Sequence, residues 1–191
     1  MYKFNYESMG TGWEITVWDD QNSIEGDLWS KLKEEIISLS QDFDQMYSRF
    51  KPDSLVTKIS KQAGKYEVPE DFSKMLELYR GLYQLSEKKL NPLIGFAISD
   101  LGYDANYSLK QKEVIRKVPD LFETVEIIAN GKKERFKEGK IKIKEPVLFD
   151  FGALGKGYFV DKISDLLKER GYKHFLVNGS GDIYYFDYLG K

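Results

Sequence analysis

Apolar and polar residues alternate at period two through Thr11-Gly-Trp-Glu-Ile-Thr-Val-Trp-Asp19. The stretch is rich in β-branched and aromatic types, so it reads as a strand, ended by Asn22-Ser23. The polar run after Met1 reads as a strand before it. From about Ile24 to Phe50 the period changes. Leu28, Leu32, Ile36, Leu39, Phe43, Met46 and Phe50 recur at steps of three or four, one face of a long amphipathic helix. Pro52 breaks that helix, and Asp53 or Ser54 can cap a short one after it. Val68-Pro-Glu-Asp71 opens a further helix with proline and two acids in its first turn, and its buried stripe is Phe72, Met75, Leu76, Tyr79, Leu82 and Tyr83. It ends before Asn91-Pro92.

Between Leu93 and Pro119 glycines and Asp/Asn residues interrupt any period, which predicts a loop with one short helix near Leu109 to Arg116. Val125 to Ala129, Glu134 to Lys137 and Lys140 to Lys144 predict antiparallel strands joined at Asn130-Gly131 and Glu138-Gly139, with the alternating lysines on a solvated face. Val147-Leu-Phe-Asp-Phe151 reads as a short buried strand, followed by a Gly-rich turn and a helix. That helix carries Phe159, Ile163, Leu166 and Leu167 and stops at Gly171. His174 to Phe186 reads as a strand, an Asn-Gly-Ser-Gly turn and a strand, with His174 before the first strand as a surface residue and the nearby tyrosines and Phe186 in packing roles.

Composition narrows the chemistry. The 191 residues suit one domain large enough, burying roughly 70% of its chain surface, to fold without disulfides or structural zinc; there is no Cys. With 29 Lys+Arg against 31 Asp+Glu, nothing attracts a polyphosphate backbone, so no nucleic-acid partner is expected. No apolar stretch is long enough to span a bilayer, and no signal peptide follows Met1; the expected location is cytoplasmic as written, unless a leader is removed. A single His limits imidazole-dependent nucleophile systems to one position and leaves none for multi-His metal sites, so the chemistry is expected to rest on carboxylates, lysines, hydroxyls and backbone.

One segment concentrates such groups. In Gly152-Ala-Leu-Gly-Lys-Gly157, backbone N–H groups at a helix start favour an anion, and Lys156 adds a point charge. The same turn can equally be a tight connection with an exposed lysine, and it matches neither the Walker A nor the dinucleotide fingerprint. Asp150 lies inside an apolar run, so its carboxylate is paired, bonded to backbone donors or used on a ligand. Asp161 reads as a surface or capping acid.

The order of several blocks resembles the ApbE-like FAD:protein FMN transferases. They are Met9-Gly10-Thr11, Tyr47-Ser-Arg-Phe-Lys-Pro-Asp-Ser54, Leu90-Asn-Pro-Leu-Ile-Gly95, Asp100-Leu-Gly-Tyr-Asp104, the run from Asp150 to Asp161, and Asn178-Gly-Ser-Gly-Asp-Ile183. The resemblance implies an α+β fold related to the T-fold, an antiparallel sheet packed with long helices, over one domain of residues 1–191. It implies FAD as substrate and a Mg²⁺-dependent reaction in which AMP leaves and FMN is joined to a Ser or Thr hydroxyl of a target flavoprotein. Carried over, Met9 lies against the flavin nucleotide, and Lys89, Leu90 and Asn91 line the FAD groove. Asp150 hydrogen-bonds FAD, Lys156 approaches the diphosphate, and the Ala153 carbonyl ligates Mg²⁺. Asn91 stands where the family commonly has Asp. In the relatives a later segment supplies the Asp and Thr metal ligands and a His-containing stretch. The sequence stops at Lys191, before that segment, so these 191 residues alone are expected to bind FAD weakly or not at all and to transfer no FMN, with the parent protein competent. An FAD pyrophosphatase and a non-catalytic flavin-binding domain are the alternatives.

Overall fold

The fold was described from a computed structural model covering residues 1–18, 26–128 and 138–188. The expected strand over 134–137, the turns at Asn130-Gly131 and Asn22-Ser23, and the expected end points Asp19, Ile24 and Ala129 lie outside these residues.

The period-two segments form β1 (Tyr2–Ser8) and β2 (Thr11–Val17). They pair antiparallel with Ser8 opposite Thr11, so Met9 and Gly10 make a two-residue turn. Both have positive φ, 53° and 71°, the geometry whose twist matches that of a hairpin. Helix α1 covers Gly26–Tyr47. Its buried face runs through Trp29, Leu32, Ile36, Ser40, Phe43 and Tyr47, while Leu28 is exposed and Leu39 and Met46 are half-buried. The sequence stripe was therefore set partly off axis. Ser40 belongs to the buried face because its hydroxyl donates to the Ile36 carbonyl and bonds the Tyr6 hydroxyl, and a polarity pattern does not count such a residue as core.

Ser54 caps α2 (Leu55–Ile59) by accepting from the Thr57 amide at 3.1 Å, as expected of that position. Strand β3 (Gly64–Pro69) follows and has no counterpart among the expected elements, although Lys65 to Val68 alternates polar and apolar residues; the run is short and only Val68 in it is buried. Helix α3 (Glu70–Leu85) has Glu70 and Asp71 in its first turn and buries the expected stripe except Leu82, which is exposed.

Asn91 then caps a 3-10 turn, Pro92–Ile94, that leads into α4 (Gly95–Asp100). The loop expected here is thus partly helical. Gly95 serves close approach rather than a turn, since a Cβ on it would stand 2.4 Å from the Leu148 carbonyl oxygen. No helix forms over 109–116. Leu109 has positive φ, 52°, and the amides of Lys112 and Arg116 donate to the Asp100 carbonyl and carboxylate instead of to a helical ladder. Asp120 caps α5 (Leu121–Thr124), which runs into β4 (Val125–Ile128). Strand β5 (Glu138–Ile143) pairs antiparallel with β3 and β4. Its Lys140 and Lys142 are exposed and face Glu67 and Glu126, so the lysine face is solvated as expected.

Residues 147–151 join neither sheet, contrary to the strand expected there. Their backbone bonds to the 92–95 stretch instead: the Gly95 amide donates to Leu148, and the Asp150 amide to Pro92. After a turn at 152–154, α6 (Gly155–Glu169) buries Phe159, Ile163 and Leu167. Gly171, at φ 85°, ends it, with the Tyr172 amide donating to Leu167 and that of Gly171 to Lys168, a Schellman closure. Strands β6 (His174–Gly179) and β7 (Asp182–Asp187) form a hairpin whose turn is Ser180-Gly181 alone. His174 is the first residue of β6, and its Nδ1 lies 2.6 Å from the Asp187 carboxylate. It is therefore paired, where the sequence offered no partner.

Backbone contacts group the chain into two compact units. The first contains Met1–Asp44 and Gly152–Lys191 and holds a sheet of order β1-β2-β6-β7. Trp13, Ile15, Phe175 and Val177 are buried on one face of this sheet, with the Phe159 ring edge-on to Trp13 at 5.4 Å. The second, Gln45–Phe151, holds the sheet β3-β5-β4. Its core contains Phe72, Met75, Leu76, Ile141 and Phe149. Both sheets are antiparallel and the fold is α+β.

Candidate functional site

In the second unit Asp150 is paired. Arg49 Nε donates to its Oδ2 at 2.6 Å, and the arginine side chain is 3% exposed against 17% for the aspartate. Arg49 Nη1 donates to the Ser99 hydroxyl and the Tyr103 carbonyl, at 3.2 and 2.7 Å. Its guanidinium lies over the Phe50 ring at 4.2 Å and the Tyr103 ring at 4.8 Å. Sequence reasoning quoted Arg49 within a block but gave it no role. The signal was available, since a carboxylate inside an apolar run needs a cation, and an arginine between Ser48 and Phe50 at a helix end is a candidate.

The same unit contains a cavity of about 1360 Å³. Lys89 and Asn91 line it; Leu90 and Asp150 do not. Asp150 is joined to this stretch through its amide bond to Pro92. The Asn91 side chain is engaged in structure, accepting from the Leu93 amide and donating to the Pro119 carbonyl, each at 2.9 Å. The lining includes five basic side chains, Lys88, Lys89, Arg116, Lys117 and Lys144, against three acids, Asp120, Glu123 and Glu145. A wall with a cationic excess suits an anionic ligand. Lys88 was not anticipated. It sits at φ 69° after Glu87 at φ 53°, and this left-handed pair at the end of α3 turns its ammonium to Asp120 Oδ2 at 2.7 Å.

Two carboxylates hold the cavity wall. Asp100, 2% exposed, accepts from Arg116 Nε and Nη2 at 2.7 Å and from Lys112 Nζ at 2.8 Å. These bonds, Arg116 first, hold its carboxyl well below the usual carboxylate range. Lys88, followed by Tyr83 and the capped amides of Glu123 and Phe122, lowers Asp120 to about 2 against the desolvation that opposes it. A folded pKa below the unfolded value of about 4 contributes stability above that value, lost as pH falls through the folded one. Urea titrations between pH 7 and 2.5 are therefore expected to show stability falling below about pH 4, and falling less in Asp120→Asn. An equal fall in both proteins would remove Asp120 from the account.

The other expected site residues belong to the first unit. Met9 occupies the β1–β2 turn. Ala153 is exposed in the 152–154 turn, and Lys156 is half-buried in the first turn of α6. The register Trp13 opposite Gly179 brings the Met9-Gly10 and Ser180-Gly181 turns to one end of the sheet. A Cβ on Gly157 would reach Asp182 Oδ1 at 4.0 Å, so the start of α6 lies at that same end. Among the described residues no group of three or more His, Cys, Asp or Glu could hold a metal ion. The Ala153 carbonyl is one hard oxygen donor, and a magnesium ion takes six ligands, of which waters and substrate phosphates commonly supply several and protein carboxylates one or two. The donors present do not by themselves fit it.

The fold is similar to those of several solved proteins. The flavin transferase ApbE from Vibrio cholerae matches with a TM-score of 0.78 and 18% identity, over 97% of this chain and 59% of its own. The flavinyl transferase ApbE from Pseudomonas stutzeri, in its apo form, matches with a TM-score of 0.77 and 16% identity, over 96% and 60%. The ApbE protein from Thermotoga maritima gives 0.71 and 16%, over 96% and 58%. The chain thus spans about three fifths of the length of these proteins. No curated protein matches it. The profile of the ApbE family matches residues 9–190, nearly the whole sequence, and the chain belongs to that family.

Proposed function

We propose that the protein containing this chain is an FAD:protein FMN transferase. The acceptor Ser or Thr oxygen of a target flavoprotein attacks the phosphorus of the FMN half of FAD. The bond from that phosphorus to the bridging oxygen breaks, and AMP leaves with that oxygen. The hydroxyl proton passes to the leaving phosphate or to water, and FMN remains as a phosphoester. Phosphoryl transfer of this kind depends on positioning and charge neutralisation more than on a strong protein nucleophile, which suits a chain with one His and no Cys.

The observation that supports this reading best is the family match over residues 9–190. The basic cavity lined by Lys89 and Asn91, to which Asp150 is joined through its amide bond to Pro92, is of a size and charge for a dinucleotide. In this reading Lys89, Leu90, Asn91 and Asp150 contact FAD. Met9 lies against its flavin half and Lys156 near its diphosphate. Magnesium, with Ala153 as one ligand, is left to the assay. Protein expressed from its full reading frame, incubated with FAD and an acceptor flavoprotein with and without Mg²⁺, is expected to yield an FMN adduct on a Ser or Thr by mass spectrometry. Release of FMN and AMP without an adduct would make it a pyrophosphatase. Flavin-induced thermal stabilisation indifferent to EDTA and without turnover would make it a binding protein.

A further inference from the structure

Arg49 is an expensive way to fill the centre of the second unit. Its side chain is 3% exposed, and among the described residues Nη2 is buried without a hydrogen-bond partner. A buried charge with an unsatisfied nitrogen is weak as a stability device, and apolar side chains of similar volume commonly do as well. Of the remaining contacts of Arg49, one reaches Asp150 and the others anchor the guanidinium. Nε takes Oδ2, while Nη1 ties the guanidinium to Ser99 on α4 and to the Tyr103 carbonyl. Phe50 and Tyr103 close over the guanidinium plane. The guanidinium is thereby held in place, and with it the hydrogen bond to Asp150 Oδ2. Asp150 is fixed from its backbone too, by its amide bond to Pro92 and by the Tyr79 hydroxyl, which donates to its carbonyl at 3.4 Å. Unlike the arginine, Asp150 keeps 17% of its side chain open to solvent, so it is the member of the pair that a ligand can reach.

We infer that Arg49 is a positioning residue for ligand binding: it holds the Asp150 carboxylate in place, and so sets the affinity for the half of FAD that Asp150 contacts. This rests on the reading of the protein as a flavin-nucleotide enzyme. A lysine at position 49 keeps the charge but lacks the planar fork, so it separates orientation from charge.

The test measures affinities for FAD and for its two halves, FMN and AMP, in protein from the full reading frame. Wild type, Arg49→Lys, Asp150→Asn and the double variant are compared, each with a thermal melt as a control on folding. Asp150→Asn is expected to weaken one half about tenfold, the 1.4 kcal/mol equivalent, and to leave the other unchanged. Arg49→Lys should weaken the same half by a similar factor, and the double variant should be no weaker than Asp150→Asn. A structural role moves both halves together or neither. Loss of affinity for both halves alike in Arg49→Lys, unchanged affinity in Arg49→Lys where Asp150→Asn loses it, or additive losses in the double variant would each overturn the inference and leave the proposed function standing. A wild-type protein that binds neither FAD nor either half overturns both.

Discussion

Asp150→Ala is expected to lower the unfolding free energy by about 3–5 kcal/mol, the usual cost of breaking a buried ion pair from one side. The cost comes from the partner. Arg49 keeps its charge at 3% exposure and loses the one carboxylate that compensates it, while Ser99 and the Tyr103 carbonyl supply only neutral acceptors. Asp150→Asn, which still offers an oxygen, should lose less. Replacing both partners, as Arg49→Met with Asp150→Leu, should recover most of the stability, because no buried charge is then left. Urea unfolding of the three variants measures this. A loss below about 1 kcal/mol for Asp150→Ala, the range of an exposed ion pair, would show that Arg49 finds water or another partner.

Gly95→Ala is expected to be about as severe for its size. A methyl group there would stand 2.4 Å from the Leu148 carbonyl oxygen and 2.8 Å from the Leu148 Cγ. The oxygen is backbone and already accepts the Gly95 amide at 3.1 Å, so the strain cannot be relieved by a rotamer change. Overpacking of this kind costs about 1–3 kcal/mol, and contact with a fixed backbone atom puts this case at the upper end. The displaced strand-like run carries Asp150 two residues further on, so FAD affinity should fall along with the melting temperature. An unchanged melting temperature would mean that the 147–151 run shifts without resistance.

Elements that announce themselves by period were legible in the sequence. Helices α1, α3 and α6 and strands β1, β2, β4 and β5 repeat at 3.6 or 2, and Ser54 and Gly171 mark ends by their own chemistry. What stayed hidden depends on partners distant in sequence. Strand β3 owes its identity to β5, and α4 begins at a glycine kept for its closeness to Leu148. The absence of a helix over 109–116 follows from Asp100 drawing the local amides to itself. Of the site, Asp150 could be singled out because an acid in an apolar run demands an explanation. Its answer, Arg49, lies 101 residues away, beyond any window of local pattern. Lys89 and Asn91 line the cavity by virtue of the turn after α3, but Lys88 and Arg116, ion-paired in its wall, carried no local signal because exposed-looking lysines and arginines are common everywhere.

The segment from Leu101 to Pro119 contains no regular element, yet it supplies Arg116, Lys117, Val118 and Pro119 to the cavity. It is fastened mainly by one acid, with Lys112 and Arg116 on the Asp100 carboxylate and the Arg116 guanidinium over the Phe96 ring at 4.0 Å. A wall without regular elements, attached at a few side-chain clasps, is expected to open at a lower free energy than the sheet and helices behind it. It can also be lengthened, shortened or rewritten in sequence between its fastenings at little cost to the rest of the fold. That makes it the part of the molecule in which ligand preference can diverge while the scaffold of the family stays the same.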